Sequence, residues 1–172
     1  SDGSLILAEK KYEVNGEKCF YFSELFLECR APLSQKSKLD IVTRAVDQVA
    51  KKYYGDEDAQ KKMEIKDIIC NELEEQGEIK VSELREKVFP GSPEMLEELD
   101  EKLDRYNLSY ETVAPKNEQT IKKFQKQKLY TDTGIEITIP MEEYRNPDHV
   151  EFITNMDGTI SVLIKNIGML SS

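Results

Sequence analysis

Residues 134–140 read Gly-Ile-Glu-Ile-Thr-Ile-Pro. Ile135, Ile137 and Ile139 alternate with Glu136 and Thr138, the period of a half-buried strand, and Pro140 closes it. Val150 and Phe152 start a second alternation. Asn155-Met156-Asp157-Gly158 is a turn, and Ile160, Val162 and Ile164 resume the period. This predicts a β-hairpin around Asp157-Gly158. Toward the N-terminus the period changes. Leu39, Val42, Val46, Val49 and Tyr53 recur at three and four residues, one stripe of a helix over about 38–54 with Ser37 as its cap. Met63, Ile65, Ile68, Ile69 and Leu73 form the face of a second helix over about 58–75, and Gly77 suits its left-handed C-terminal position. Ser82 is placed to cap a short helix carrying Leu84 and Val88, which Pro90-Gly91 ends. Ser92-Pro93 then opens a helix with Leu96, Leu99, Leu103 and Tyr106 on its stripe. Near the start, 5–7 and 10–14 read as short strands. Asn15-Gly16 is a hairpin signal before 17–22, whereas Cys19 to Leu27 fits a strand or a buried helix start equally well. Helices thus gather in the middle and strands near both ends. The fold class is α+β, with a helical part at about 34–106 and a C-terminal β part at about 128–167.

The chain has 172 residues, one domain's worth by length, with 34% charged residues and a net charge of −10. Its first four residues, Ser1-Asp2-Gly3-Ser4, read as a linker or the edge of a fragment. No apolar run approaches a membrane span and no signal-peptide pattern occurs, so a cytoplasmic protein without membrane contact is expected. The three cysteines, Cys19, Cys29 and Cys70, are odd in number and lack CxxC spacing, which argues for reduced thiols.

Charge is segregated along the chain. From Asp56 to Arg105 there are 17 acids and 8 bases. Two basic islands flank that segment. One spans 30–52 with Lys36, Lys38, Arg44, Lys51 and Lys52; the other spans 116–128 with Lys116, Lys122, Lys123, Lys126 and Lys128. If 117–127 is helical, Lys122, Lys123 and Lys126 share part of a turn. Lysine suits phosphate contacts, which position a duplex without reading its sequence. Phe124 and Tyr130 lie near enough to stack on bases, although core packing accounts for them as well.

Catalytic chemistry finds little support. His149 is the single histidine, and its neighbour Asp148 would point to the opposite face of a strand. No phosphate-binding glycine loop or nucleophile motif occurs. Runs such as Asp56-Glu57-Asp58 and Glu97-Glu98 lack calcium-loop spacing and read as solvated faces. No catalytic residue, metal ligand or cofactor is therefore assigned. The segment from the second helix through Gly77–Leu84 into the short helix resembles part of a winged helix, but Glu83, Arg85, Glu86 and Lys87 cancel in charge, and groove reading needs a basic helix.

Across nearly its whole length the chain resembles the bacterial nucleoid-associated protein family of the NdpA/YejK type, specifically the C-terminal half of those chains. Five stretches carry the resemblance: Cys19 to Leu27; Leu39 to Tyr53 with Val46-Asp47; the helix containing Cys70-Asn71-Glu72-Leu73; Gly77 to Leu84; and the closing strands at Gly134–Ile137 and Asp157–Val162. Where the family has a glycine after the first stretch, this chain has Glu28-Cys29. The resemblance implies a non-enzymatic protein of the cytoplasm and nucleoid that binds double-stranded DNA, and that the 172 residues are one domain from a longer protein. It transfers no DNA-contact residue. The ten basic residues named above are the candidates, and little sequence preference is expected. The acidic middle favours a second reading, a module for protein interaction or oligomerisation whose DNA contacts lie in the missing N-terminal half. A homodimer fits either reading, because it would double a weak basic patch, and the acidic face is the natural site for a protein partner.

Overall fold

The computed structural model describes residues 11–14, 17–20, 32–55 and 58–172, and falls into two units, 1–34 and 35–172. In the first unit β1 (Lys11–Val14) pairs antiparallel with β2 (Glu17–Phe20), Val14 opposite Glu17. The expected strand at 5–7, Leu25-Phe26-Leu27, Cys29 and the acids Asp56 and Glu57 lie outside the described residues.

The second unit opens with α1 (Gln35–Tyr54) and α2 (Ala59–Gln76). α1 starts before Ser37, so Ser37 lies inside the helix. The side chain of Gln35 already serves the fold there, its Oε1 accepting the Ala114 N–H at 2.9 Å. Leu39, Val42, Ala45, Val46, Val49 and Ala50 form its buried face. Tyr53, expected on that stripe, is exposed, with Lys52 over its ring. Asp58 caps α2 through the Lys61 N–H, and Gly77, at φ 68°, ends it with its own N–H on the Leu73 carbonyl. That left-handed conformation costs glycine nothing and most residues about 1 kcal/mol.

A two-residue strand β3 (Ile79–Lys80) leads into α3 (Val81–Val88) and α4 (Pro93–Asp104), and β4 (Thr112–Val113) returns to pair with β3. α3 begins one residue before Ser82, so that serine does not cap it. Pro93 opens α4 as expected, but the Ser92 side chain makes no capping bond; its carbonyl accepts the Leu96 N–H instead. α4 stops at Asp104, which leaves Tyr106 exposed, and Leu108 enters the core in its place. α1 packs on α4 and α2 around Phe89, Leu84, Leu99, Leu103, Ile79 and Val113, all fully buried or nearly so. Each such side chain contributes about 1.5–3 kcal/mol by leaving water.

Two hairpins follow a one-turn helix, α5 (Glu118–Lys122). β5 (Lys126–Tyr130) pairs with β6 (Glu136–Pro140), α6 (Met141–Tyr144) intervenes, and β7 (Val150–Thr154) pairs with β8 (Ile160–Ile164). The turn of the last hairpin holds Gly158 at φ 84°, with the Asp157 carboxylate accepting from Thr159. The architecture is α+β, and the change of period near residue 126 marks the change from helices to hairpins.

Candidate nucleic-acid interface

The α1 island does not make one basic surface. Lys38 is ion-paired with Glu111 at 2.7 Å and Lys52 with Glu98 at 2.6 Å. The hydrogen bond from Lys52 to Glu98 raises the pKa of that ammonium and lowers that of Glu98. Lys36, Arg44 and Lys51 share another stripe of the helix, and Asp40 and Asp47 fall between them at helical spacing. The result is a stripe of alternating sign.

The second island is rearranged from its sequence expectation. Residues 117–127 are not one helix. Asn117 caps Gln119, α5 lasts one turn, and Lys126 already belongs to β5. A helix this short has little stability of its own, and pairing with the alternating β6 strand prevails. Lys122 lies 3.8 Å from Glu118, Lys123 follows the helix end in solvent, and Lys116 is exposed before it. Lys126, Lys128 and Tyr130 occupy the outer face of β5, all exposed, while Gln127 points inward and is buried.

Gln127 sets the position of this strand. Its Nε2 donates to the Met63 carbonyl of α2 at 2.9 Å. Arg145, just past α6, binds Asp67 at 2.5 Å and Glu74 at 3.0 Å on the same helix. The β5–β6 hairpin is thereby fastened along α2, and Lys66, one turn beyond Met63, comes within reach of the Lys128 charge. Burial lowers the Lys66 pKa, and the Lys128 charge lowers it further. Lys66 and Lys62 are also the cationic neighbours of Asp47. Among the described residues Lys66, Lys126 and Lys128 form no ion pair. Sequence reasoning missed Lys66, because it sits inside the acidic segment and only folding brings it to the second island.

The opposite charge also has a surface. α4 carries six acids and one lysine. Its Glu97, Asp100, Glu101 and Asp104, with Arg85 of α3 and Leu96, line a groove of about 440 Å³. Arg85 binds Asp100 at 2.6 Å, yet burial still holds the Asp100 pKa above its ordinary value. α3, the short helix of the winged-helix resemblance, carries two acids against two bases, and α4 after it is strongly anionic, so neither suits a groove lined with phosphates.

His149 is half-buried and its Nδ1 hydrogen-bonds Glu143, not Asp148. Cys70 is fully buried, and burial pushes its thiol up to about 11, which leaves it protonated and unreactive. Among the described residues no three histidine, cysteine or acidic side chains gather as a metal would need, and no helix is long and apolar enough to cross a membrane.

Comparison with known families finds a match over nearly the whole chain. A family model described as NA37: Nucleoid-associated protein YejK covers residues 4–169. No curated protein and no solved structure matches the chain.

Proposed function

This chain belongs to the nucleoid-associated protein YejK family, and from that premise we propose that it binds double-stranded DNA in the nucleoid, without catalysis, through phosphate contacts from lysines held across α2 and β5. The observation that carries this reading is the exposed outer face of β5, where Lys126 and Lys128 stand two residues apart without ion pairs and the Lys128 charge reaches the half-buried Lys66 of α2. Like charges repel one another, Asp47 offsets only part of the Lys66 charge, and a phosphate placed among the lysines relieves that repulsion. Lys122 and Lys123, at the end of α5, and Lys116 extend the same region in sequence. Because the contacts go to phosphates, sequence preference is low.

The test is a duplex-binding titration across salt. Neutralising two to four phosphates predicts a log–log slope of about −2 to −4, with similar affinities for unrelated sequences. Flat affinity across salt would refute phosphate binding. Lys126→Glu with Lys128→Glu should weaken affinity by roughly tenfold or more, and an unchanged affinity would clear the β5 face.

A second reading rests on α4. Its six acids and the groove beside Arg85 suit a basic protein surface, which makes the domain an interaction module. A chain that leaves duplex DNA unshifted at low salt, while a longer form containing it succeeds, would decide for that reading.

A further inference from the structure

Of the two aromatic residues beside the second basic island, the core takes only one. Phe124 is half-buried and packs against the helical core. Tyr130 stays 67% exposed at the end of β5, and among the described residues its side chain makes no hydrogen bond, ring contact or cation contact. Other tyrosines are exposed, but in acidic or occupied surroundings. Lys52, paired with Glu98, lies over the Tyr53 ring, and Tyr106 and Tyr110 follow the acidic α4.

Strand geometry places Tyr130 in line with cations. Alternate residues of a strand share a face and lie about 6.6–6.8 Å apart along it. Lys126, Lys128 and Tyr130 therefore make one row, two ammonium groups and then a ring. β6 supplies the facing row, with Pro140 opposite Lys126, Thr138 opposite Lys128 and Glu136 opposite Tyr130. The sign of charge thus changes along the ribbon. Phosphates suit the end with Lys126 and Lys128. At the other end Glu136, with Asp132 in the turn, repels a phosphate and leaves an uncharged base unopposed. The turn itself is fixed. The Thr131 N–H donates to the Ile135 carbonyl and the Ile135 N–H to the Thr131 Oγ1, both at 2.9 Å. A tyrosine on ordered backbone has only its own two side-chain torsions to lose on binding.

We propose that Tyr130 is a stacking platform for an unpaired DNA base whose neighbouring phosphates lie on Lys128 and Lys126. The inference rests on the phosphate-binding reading above and narrows its substrate to DNA in which pairing is interrupted. In a continuous duplex each base face is covered by the next pair, and the ring finds no partner. At a bulge or an unpaired end a base face is free, and stacking tolerates any base because each has a π-face. A cationic track followed by an aromatic ring is how proteins hold single-stranded segments without reading their sequence. Preference for a DNA structure then coexists with indifference to sequence.

Two probes test this on the 172-residue chain: a fully paired duplex, and the same duplex carrying a short bulge with 2-aminopurine at its centre. The bulged probe should bind roughly fivefold or more tightly than the paired one, and the aminopurine emission should fall on binding. Tyr130→Ala should bring the ratio of the two affinities to about one and abolish the fall in emission, whereas Tyr130→Phe, which keeps the ring, retains both. The exposed Tyr130 side chain supports no contact of the fold, so the alanine variant should melt with the parent chain. Equal affinity for the two probes, or a preference that Tyr130→Ala leaves intact, overturns the stacking proposal and leaves phosphate binding standing. Failure of both probes to bind at low salt refutes the phosphate reading itself, and stacking with it.

Discussion

Lys66 is held where a lysine is uncomfortable, half-buried on α2 within the field of a second ammonium, which Asp47 offsets only in part. Its folded pKa lies below the ordinary value of 10.5 because burial and then Lys128 disfavour the charge. The unfolded chain therefore binds that proton more tightly, and stability from this group rises as pH climbs through the window below 10.5. Cys70 acts in the opposite sense. Its thiol is raised from 9.0 to about 11 by burial, so the folded state keeps a proton the unfolded state loses, and that contribution falls as pH rises from about 9 to about 11. Lys66→Met should raise the melting temperature at neutral pH and weaken duplex binding about threefold to tenfold, as expected for one lost phosphate contact. Thermal melts beside a binding titration test both halves, and a lower melting temperature with unchanged affinity would show Lys66 to be structural. Cys70 should react with a thiol reagent only as fast as the chain opens, so its labelling rate should follow denaturant concentration.

The β5–β6 hairpin depends on few long-range ties. The bond from Gln127 to the Met63 carbonyl is buried, and Arg145 joins two carboxylates of α2. Gln127→Ala removes the buried bond and leaves a small void, for an expected loss of about 1–3 kcal/mol. Arg145→Ala loses a partly exposed network and should cost about 1 kcal/mol. In both variants amide exchange should quicken over 126–130 and 136–140 more than in α1 and α4, whose core is separate from these ties. Uniform acceleration over the whole unit would mean that the hairpin and the helices open together. Residues 117–127, which would set Lys122, Lys123 and Lys126 on part of one turn if they were helical, divide between α5 and β5. Those eleven residues have a helical stripe in Thr120, Ile121 and Phe124, but the partner of Lys126–Tyr130 is β6, ten residues on, and local periodicity does not contain it.

Net charge governs the molecule as a whole. An anionic protein approaching a duplex must present a basic face while the acidic α4 turns away. Replacing Glu94, Glu97, Glu101 and Asp104 by their amides should speed association with DNA several-fold at low salt and scarcely near molar salt, where a Debye length of about 3 Å hides the acidic face. Stopped-flow association at two salt concentrations measures this, and equal rates at low salt would mean that the acidic face lies too far from the duplex to matter. Sequence alone determined the class and most elements of the fold. Isoleucine at every second position marks a strand, apolar residues three and four apart mark a helix, and Gly77, Pro93 and Gly158 mark boundaries, since each signal comes from residues adjacent in the chain. It also carried the family resemblance. Which lysines meet was decided by tertiary structure. Lys38 and Lys52 found carboxylates 73 and 46 residues away, whereas Lys66 and Lys128, 62 apart, came together because Gln127 reached a helix carbonyl. Charge counted along the chain averages over neighbours in sequence, while Coulomb's law acts through space, and only packing converts one into the other.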